Sequence, residues 1–325
     1  MTKDKQTLDA ALLAAAALRD AGELAEAGAA LDRLAASDLG RIAPVTALGI
    51  NRRLHAALLR QAKARDDRIA RVGLQAHLVP PPERLAAVVA TGAPGRAELV
   101  SAAMAPVPHL LHQIWIGPRT LPVTLAAWAH HAKARGYRHR LWREADLAAV
   151  GFDRDPVFAA RLAAGDYPGA VDAARYAILA AEGGIYLDAD WYPARMDLGF
   201  HDFLPMRGLC LMAEEVPRLT GRGALLLANS VIGTPPGHPV LHHLCDVLPR
   251  AAAALPGAPA WWVTGPLILT LLARRGPLTL MDEAMVAGHL PPGSDPAAAQ
   301  AMADQAAAAD QGLLIGWKPW EGAMD

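Results

Sequence analysis

VDAARYAILAAEGGIYLDADWYP, residues 171–193, is the stretch from which the rest of the chain can be read. Its first part has the spacing of a helix. Asp172 and Arg175 stand three apart and so share one helical face, while Ala174, Ala177, Ile178 and Ala181 form an apolar side expected to meet the core. Gly183 suits a left-handed C-cap, and Gly184 allows a sharp turn into a strand. In that strand Tyr186 and Asp188 alternate onto one face, with Ile185 and Leu187 on the other. Asp188 and Asp190 then fall where the strand runs out, and open α/β sheets hold their ligands at the carboxyl ends of strands.

Two carboxylates at i and i+2 in an extended segment need a cation between them, because burying them unpaired costs several kcal/mol each. Mg²⁺ or Mn²⁺ takes one or two protein carboxylates and completes its shell with phosphate oxygens and water. Alone, an Asp-X-Asp is common in solvated turns and helix caps. Its setting among Asp-X-X-Arg, Gly-Gly and Tyr-X-Asp makes it a candidate metal site.

Working outward, short apolar runs alternate with helical stretches from residue 105 onward. Strands are expected at 110–116, 137–142, 185–187 and 208–212, and helices at 122–135, 170–182 and 297–309. This alternation predicts a parallel or mixed sheet with helices packed on it. Residues 1–104 read instead as helical. Leu8, Leu12, Leu13 and Leu18 recur at helical spacing, Leu24, Ala27, Leu31 and Leu34 repeat the pattern, and a third helix is expected over 47–68. The first two form one hairpin of tetratricopeptide type, too few copies for a solenoid. The expected organisation is a helical accessory region over 1–104 and an α/β domain over 105–325.

Composition narrows the function classes. Among 325 residues, 31 Lys and Arg stand against 32 Asp and Glu, a formal net charge of −1. No global field is available to draw nucleic acid or an anionic membrane. Cys210 and Cys245 are too few for a disulfide framework and lack zinc-site spacing. The apolar part of the first 20 residues is short and closed by Asp20, so it reads as an amphipathic helix and not a leader. No run approaches the ~20 apolar residues of a membrane span. A cytoplasmic protein is expected, with a peripheral place at the inner membrane face compatible with it.

The chain resembles the DXD-containing glycosyltransferases of family 32, related to the yeast initiating α-1,6-mannosyltransferase, and more distantly the large glucosylating toxins. The resemblance rests on PHLLHQIWIGP (108–118), Trp128, Tyr137 and Leu141-Trp142. It continues through residues 171–190, NSVIGTPPGHPVL (229–241) and Thr264-Gly265-Pro266. It implies a GT-A fold, Rossmann-like and built for nucleotide-diphosphate sugars, with Mn²⁺ or Mg²⁺ as cofactor. It also implies a UDP- or GDP-sugar donor, retention of anomeric configuration, and a glycan, lipid-linked or protein acceptor, with surface polysaccharide synthesis as one setting.

Carried onto this sequence, the resemblance implies that Trp115 stacks on the nucleotide base, with Ile116 and Gly117 beside it. Asp172 holds a sugar or ribose hydroxyl, Arg175 orients Asp172 and the donor, and Tyr186 hydrogen-bonds the donor. Asp188 contacts sugar and metal-bound water, Asp190 is the firmer metal ligand, and Asn229 positions a hydroxyl or simply forms a turn. The relatives' closing motif is replaced here by GLLIGWKPWEGAMD. Trp317, Trp320 and Glu321 are its candidate substitutes, with Lys318 for the diphosphate and His289 as a further partner. His238, His242 and His243 read as helix-start and surface residues. No carboxylate nucleophile stands out; Glu214 and Glu215, which follow the strand expected at 208–212, are the ones that could approach the sugar. Two other classes compete: a catalytically silent nucleotide-sugar or glycan-binding protein acting through its helices, and a metal-dependent phosphohydrolase, which would want more His and Asp ligands than the sequence offers.

Overall fold

The computed structural model describes residues 3–46, 48–76, 82–213, 226–281, 283–291 and 293–320. They fall into two compact units that divide at residue 82. The first unit is helical, with helices Lys3–Asp20, Leu24–Ala36, Arg52–Ala64 and Arg68–Ala76. Leu8, Ala15, Leu31, Leu34, Leu54 and Ala57 make its core. The helix expected over 47–68 is present but shorter, Arg52–Ala64, and a separate helix begins at Arg68. Asn51 starts the first by accepting N–H bonds from Arg53 and Leu54 at 2.9 and 3.4 Å, satisfying donors that have no partner inside the helix. Asp66, at φ 50°, ends the run. Asp67 then caps the next helix by accepting from Ala70 N at 2.9 Å.

The boundary at residue 82 lies well before the expected one near 104. Helices Pro82–Ala90 and Arg96–Ala102 belong with the α/β unit because its polar groups hold them there. The Val89 carbonyl accepts from His243 Nε2 at 3.1 Å and from Arg275 at 2.9 Å. Gly208 N donates to the Ala105 carbonyl at 2.8 Å.

The α/β unit contains strands β1 (Leu110–Ile114), β2 (Arg138–Trp142), β3 (Gly184–Leu187), β4 (Trp191–Pro193), β5 (Cys210–Ala213), β6 (Leu227–Thr234), β7 (Thr279–Met281), β8 (Val286–His289) and β9 (Leu314–Gly316). Six of them form a mixed sheet in the order β2-β1-β3-β6-β5-β7. β1 runs parallel to β2 and β3, and β6 is antiparallel to β3 and β5. A second sheet has the order β4-β9-β8. One core packs Leu111, Ile185, Leu187 and Val231 of the large sheet against Trp128 and Phe200.

Helix Tyr167–Glu182 packs against helices Pro156–Ala163, Pro239–Ala254 and Ala260–Val263 as well as against β3 and β6. For that reason it is buried on more than the expected apolar side. Ala174 and Ile178 are inside, but so are Asp172, Arg175 and Tyr176, while Ala181 is exposed.

The helix-to-strand turn is tighter than a left-handed cap. Gly183 has φ 64° and ψ −161°, a region open essentially to glycine alone. A Cβ there would lie 2.4 Å from Pro236 N. Gly184 has φ 98°, and a Cβ on it would lie 2.5 Å from the Leu110 carbonyl oxygen. Buried His112 pins the turn. Its Nδ1 accepts from Trp142 Nε1 at 3.0 Å, which leaves Nε2–H to donate to the Gly183 carbonyl at 3.0 Å. Burial pushes this imidazole down to about 4, so it stays neutral at pH 7.

Candidate functional site

β1, β2 and β3 are parallel, so Trp115, Glu144 and Asp188 all follow the same edge of the sheet. β6 runs the other way and brings its first residues to that edge. Asp188 N donates to the Ser230 carbonyl at 2.9 Å, and Asn229 is therefore the neighbour of the Asp-X-Asp. Helix Tyr167–Glu182 brings Asp172 and Arg175 to the same place.

Arg175 is the hub. Its NH1 donates to the Asn229 carbonyl at 2.6 Å. Its NH2 lies 3.1 Å from Asp172 Oδ1 and 3.0 Å from Asp188 Oδ1. The guanidinium carbon sits 4.4 Å from the centre of the Tyr186 ring, a cation–π contact strengthened by burial. The Tyr186 hydroxyl donates to Asp188 Oδ1 at 2.7 Å, so this tyrosine orients a carboxylate of the Asp-X-Asp. The Asn229 side-chain nitrogen donates to Asp172 Oδ1 at 2.8 Å and to the Tyr176 hydroxyl oxygen at 3.1 Å. Asp172 Oδ2 accepts from Thr264 at 3.0 Å. Asp172 and Arg175 are both buried, which removes the alternative of a surface ion pair. Burial lifts the Asp172 carboxyl to about 6 even though Arg175 pulls it down.

Asp190 is different. Its Oδ1 is buried without a hydrogen-bond partner. Burial first, and the neighbouring Asp188 charge second, raise its carboxyl to about 7, with Lys318 acting in the opposite sense. A buried carboxylate oxygen without a donor is costly and is the donor type a hard divalent cation takes. Asp188 and Asp190 thus offer the oxygen donors that a hard divalent cation such as Mg²⁺ or Mn²⁺ would accept. Among the described residues no cluster of three or more His, Cys, Asp or Glu side chains is placed to hold a metal by itself.

Trp115 follows β1, and its N–H continues the β2 ladder by donating to the Trp142 carbonyl at 3.1 Å. Its half-buried ring lies 5.1 Å from that of Trp320, tilted by 56°. Ile116 is buried beside it, and Gly117 N donates to Glu144 at 2.6 Å. The C-terminal segment therefore reaches the edge of the site twice, through Lys318 and through Trp320.

Trp317 does not lie on a closing loop. It is 2% exposed, its Nε1 donates to the Ser294 carbonyl at 3.1 Å, and its ring packs edge-on against Tyr192. Its backbone N–H donates to the Asp190 carbonyl at 2.7 Å, so it fixes the loop from beneath. His289 is exposed at the end of β8, in register with Gly316. His238 and His243 are buried and not surface residues. His238 Nδ1 accepts from Val240 N at 3.3 Å at its helix start, and His243 is the donor to Val89 described above. His242 is exposed. Glu214, Glu215 and Glu321 lie outside the described residues.

Two contributors were not anticipated, Thr264 and Tyr176. Tyr176 follows Asp172 by one helical turn, a spacing that could have marked it. Thr264 stands in the Thr264-Gly265-Pro266 motif, but no local pattern couples it to Asp172. Among the described residues no helix is long and apolar enough to cross a membrane.

Comparison with known proteins finds similarity to glycosyltransferases. Residues 133–200 match the family described as the glycosyltransferase sugar-binding region containing the DXD motif. An uncharacterized glycosyltransferase of Acanthamoeba polyphaga mimivirus is 31% identical over 152 residues, covering 42% of this chain and 54% of the relative. The chain thus spans about half the length of that relative. Among solved structures, the PaToxG glycosyltransferase aligns over 67% of this chain and 80% of its own at 18% identity and a TM-score of 0.44. A glycosyltransferase involved in glycosylation of the major capsid of PBCV-1 aligns over 64% and 92% at 12% identity and a TM-score of 0.35.

Proposed function

We propose that the chain is a glycosyltransferase of GT-A type that moves a sugar from a nucleoside-diphosphate donor, UDP- or GDP-linked, to an acceptor hydroxyl. The observation that carries this is the partnerless buried Asp190 Oδ1 beside an Asp188 already oriented by Arg175 and Tyr186. The matched sugar-binding region over 133–200 supports the same reading.

In this reading Asp188 and Asp190 would hold Mn²⁺ or Mg²⁺, whose positive charge would offset the charge of a diphosphate leaving group. Trp115 carries the nucleotide base, and base–aromatic stacking contributes about 1–3 kcal/mol. Lys318 offers an ammonium to the phosphates. Arg175 and the Asn229–Asp172 pair form the wall against which the donor sugar rests. The transition state has oxocarbenium character. Retention by front-face substitution, the outcome the family resemblance implies, needs no protein base. The bond from the anomeric carbon to phosphate oxygen breaks, the bond to the acceptor oxygen forms, and the acceptor proton passes to the leaving phosphate.

The test is a thermal-shift panel of UDP-, GDP-, dTDP- and CMP-sugars, each with and without Mn²⁺, on the wild type and on Asp190→Asn. Stabilisation by one nucleotide class, only with metal and only in the wild type, is expected. A ligand at 100-fold excess over its Kd adds about 2.7 kcal/mol. No stabilisation by any nucleotide in the presence of metal overturns the reading.

A further inference from the structure

The Asp172 carboxylate is held at both oxygens by elements distant in sequence. Oδ1 accepts from Asn229 on β6 and from Arg175 one helical turn away, and Oδ2 accepts from Thr264. Thr264 is completely buried between helices Ala260–Val263 and Pro266–Ala273. Its hydroxyl carries one proton and has two acceptors within reach, Asp172 Oδ2 at 3.0 Å and the Ala260 carbonyl at 3.2 Å. The Ala260 carbonyl already receives the backbone N–H groups of Thr264 at 2.9 Å and Gly265 at 2.8 Å. The local turn is therefore closed without the side chain, and the hydroxyl proton belongs with Asp172.

A carboxylate tied at one oxygen can rotate, since its terminal torsion is broad and two-fold. Asp172 would then choose between Asn229 and Arg175. Tying Oδ2 to a third element fixes the plane in which Oδ1 serves both. The constraint passes onward, because the same NH2 of Arg175 that meets Asp172 also meets Asp188. A Cβ on Gly265 would lie 3.3 Å from Asp172 Oδ2 and 3.0 Å from Trp261 Cα, so the glycine lets the hydroxyl-bearing turn approach this closely.

We infer that Thr264 is a positioning residue: its hydroxyl sets the plane of Asp172, and through Asp172 and Arg175 it sets the carboxylate of Asp188 that faces the ligand. The geometric half of this inference stands alone. Its effect on sugar transfer rests on the proposed function.

The experiment uses Thr264→Val, which exchanges the hydroxyl for a methyl of similar size, together with Thr264→Ser and Thr264→Cys. Crystal structures of the full chain decide the geometric half whatever the activity. In Thr264→Val the Asp172 plane turns and at least one of its contacts to Asn229 or Arg175 lengthens beyond about 4 Å. Thr264→Ser keeps the wild-type arrangement. If Thr264→Val leaves Asp172, Arg175 and Asp188 at their wild-type distances, the inference is wrong. Should Thr264→Val not fold, Thr264→Cys, a weaker donor of similar size, is expected to show the same displacement, and a wild-type arrangement there is equally fatal.

The functional half is read from hydrolysis of UDP-glucose and GDP-mannose with Mn²⁺. The Val variant is expected to lose roughly 10–100-fold in kcat with KM changed by less than about three-fold, and Ser to restore the rate to within about three-fold. Thr264→Val combined with Asp172→Asn loses no more than the worse single variant, because both act at one carboxylate. Full multiplicative loss refutes action through Asp172. A wild type that turns over neither donor counts against the proposed function, while the crystal structures still decide the position of Asp172.

Discussion

The two halves of the site are built on opposite principles. Around Asp172, Arg175, Asn229 and Thr264, the carboxylate, amide nitrogen and guanidinium tips meet protein partners, and the side chains are buried. Around Asp190 a carboxylate oxygen is buried without a donor, and the cations that act on it are Lys318 and, more weakly, Arg175. The first half is nearly finished within the chain, Arg175 Nε alone among those side chains being buried without a partner. The second is not, and it is where a ligand has something to add. A buried charged residue with its partners in place describes the frame of a site, and an unsatisfied one beside it describes the opening.

The contrast predicts opposite signs for substitutions of neighbouring charged residues. Arg175→Met leaves Asp172 and Asp188 without their shared cation, and breaking a buried pair costs about 3–5 kcal/mol. Urea denaturation should show that loss, and a loss below about 1 kcal/mol would mean the frame is not held by this residue.

Gly183→Ala tests the turn that joins the halves. Its positive φ and the nearby Pro236 backbone predict a loss of about 1–3 kcal/mol, again by denaturation. An unchanged midpoint would show that the turn relaxes.

Asp190→Asn should instead stabilise the protein in the absence of metal, by about 1–2 kcal/mol after allowance for its partial exposure. The sign has a pH signature. The folded-state carboxyl is raised from 3.8 to about 7, so the folded protein binds this proton more tightly and its stability falls as pH rises between those values. Buried histidines such as His112 and His238, both lowered to about 4, oppose this in the wild type alone. They cancel in the difference between the two proteins. That difference should therefore grow from pH 4 to pH 7 and then level. A constant difference would place Asp190 in ordinary solvent.

Trp115→Leu is expected to have the smallest effect on the fold, below about 1 kcal/mol, because the ring is half-exposed. It should weaken nucleotide binding by about 1–3 kcal/mol in calorimetry. A large loss of stability with unchanged nucleotide affinity would make it a core residue.

How much of this was legible in the sequence follows the range of the interactions. The helix, the glycine pair and the strand of residues 171–193 were readable because 3.6- and two-residue periods and turn chemistry are local. The pairing of Asp172 with Arg175 was readable for the same reason. Thr264 was not, because its link to Asp172 is made only when distant helices pack. The burial of Trp317 and His243 was also hidden. Each is decided by a distant backbone carbonyl, Ser294 for one and Val89 for the other. The early boundary at residue 82 has the same origin, since the helices after it are recruited by side chains far along the chain. Helical periodicity suggested that 1–104 form one region, whereas helices Pro82–Ala90 and Arg96–Ala102 go with the α/β unit.

The small sheet carries one more consequence. Among the described residues β4, which continues from Asp190, pairs with β9 alone, and Trp317 just after β9 holds the Asp190 carbonyl. During synthesis the Asp-X-Asp segment leaves the ribosome long before its strand partner exists. Contacts of such long sequence separation form late. The nascent chain can carry every residue of the Arg175 frame and still lack a fixed Asp190, which is held in place only once β9 and Trp317 have been made.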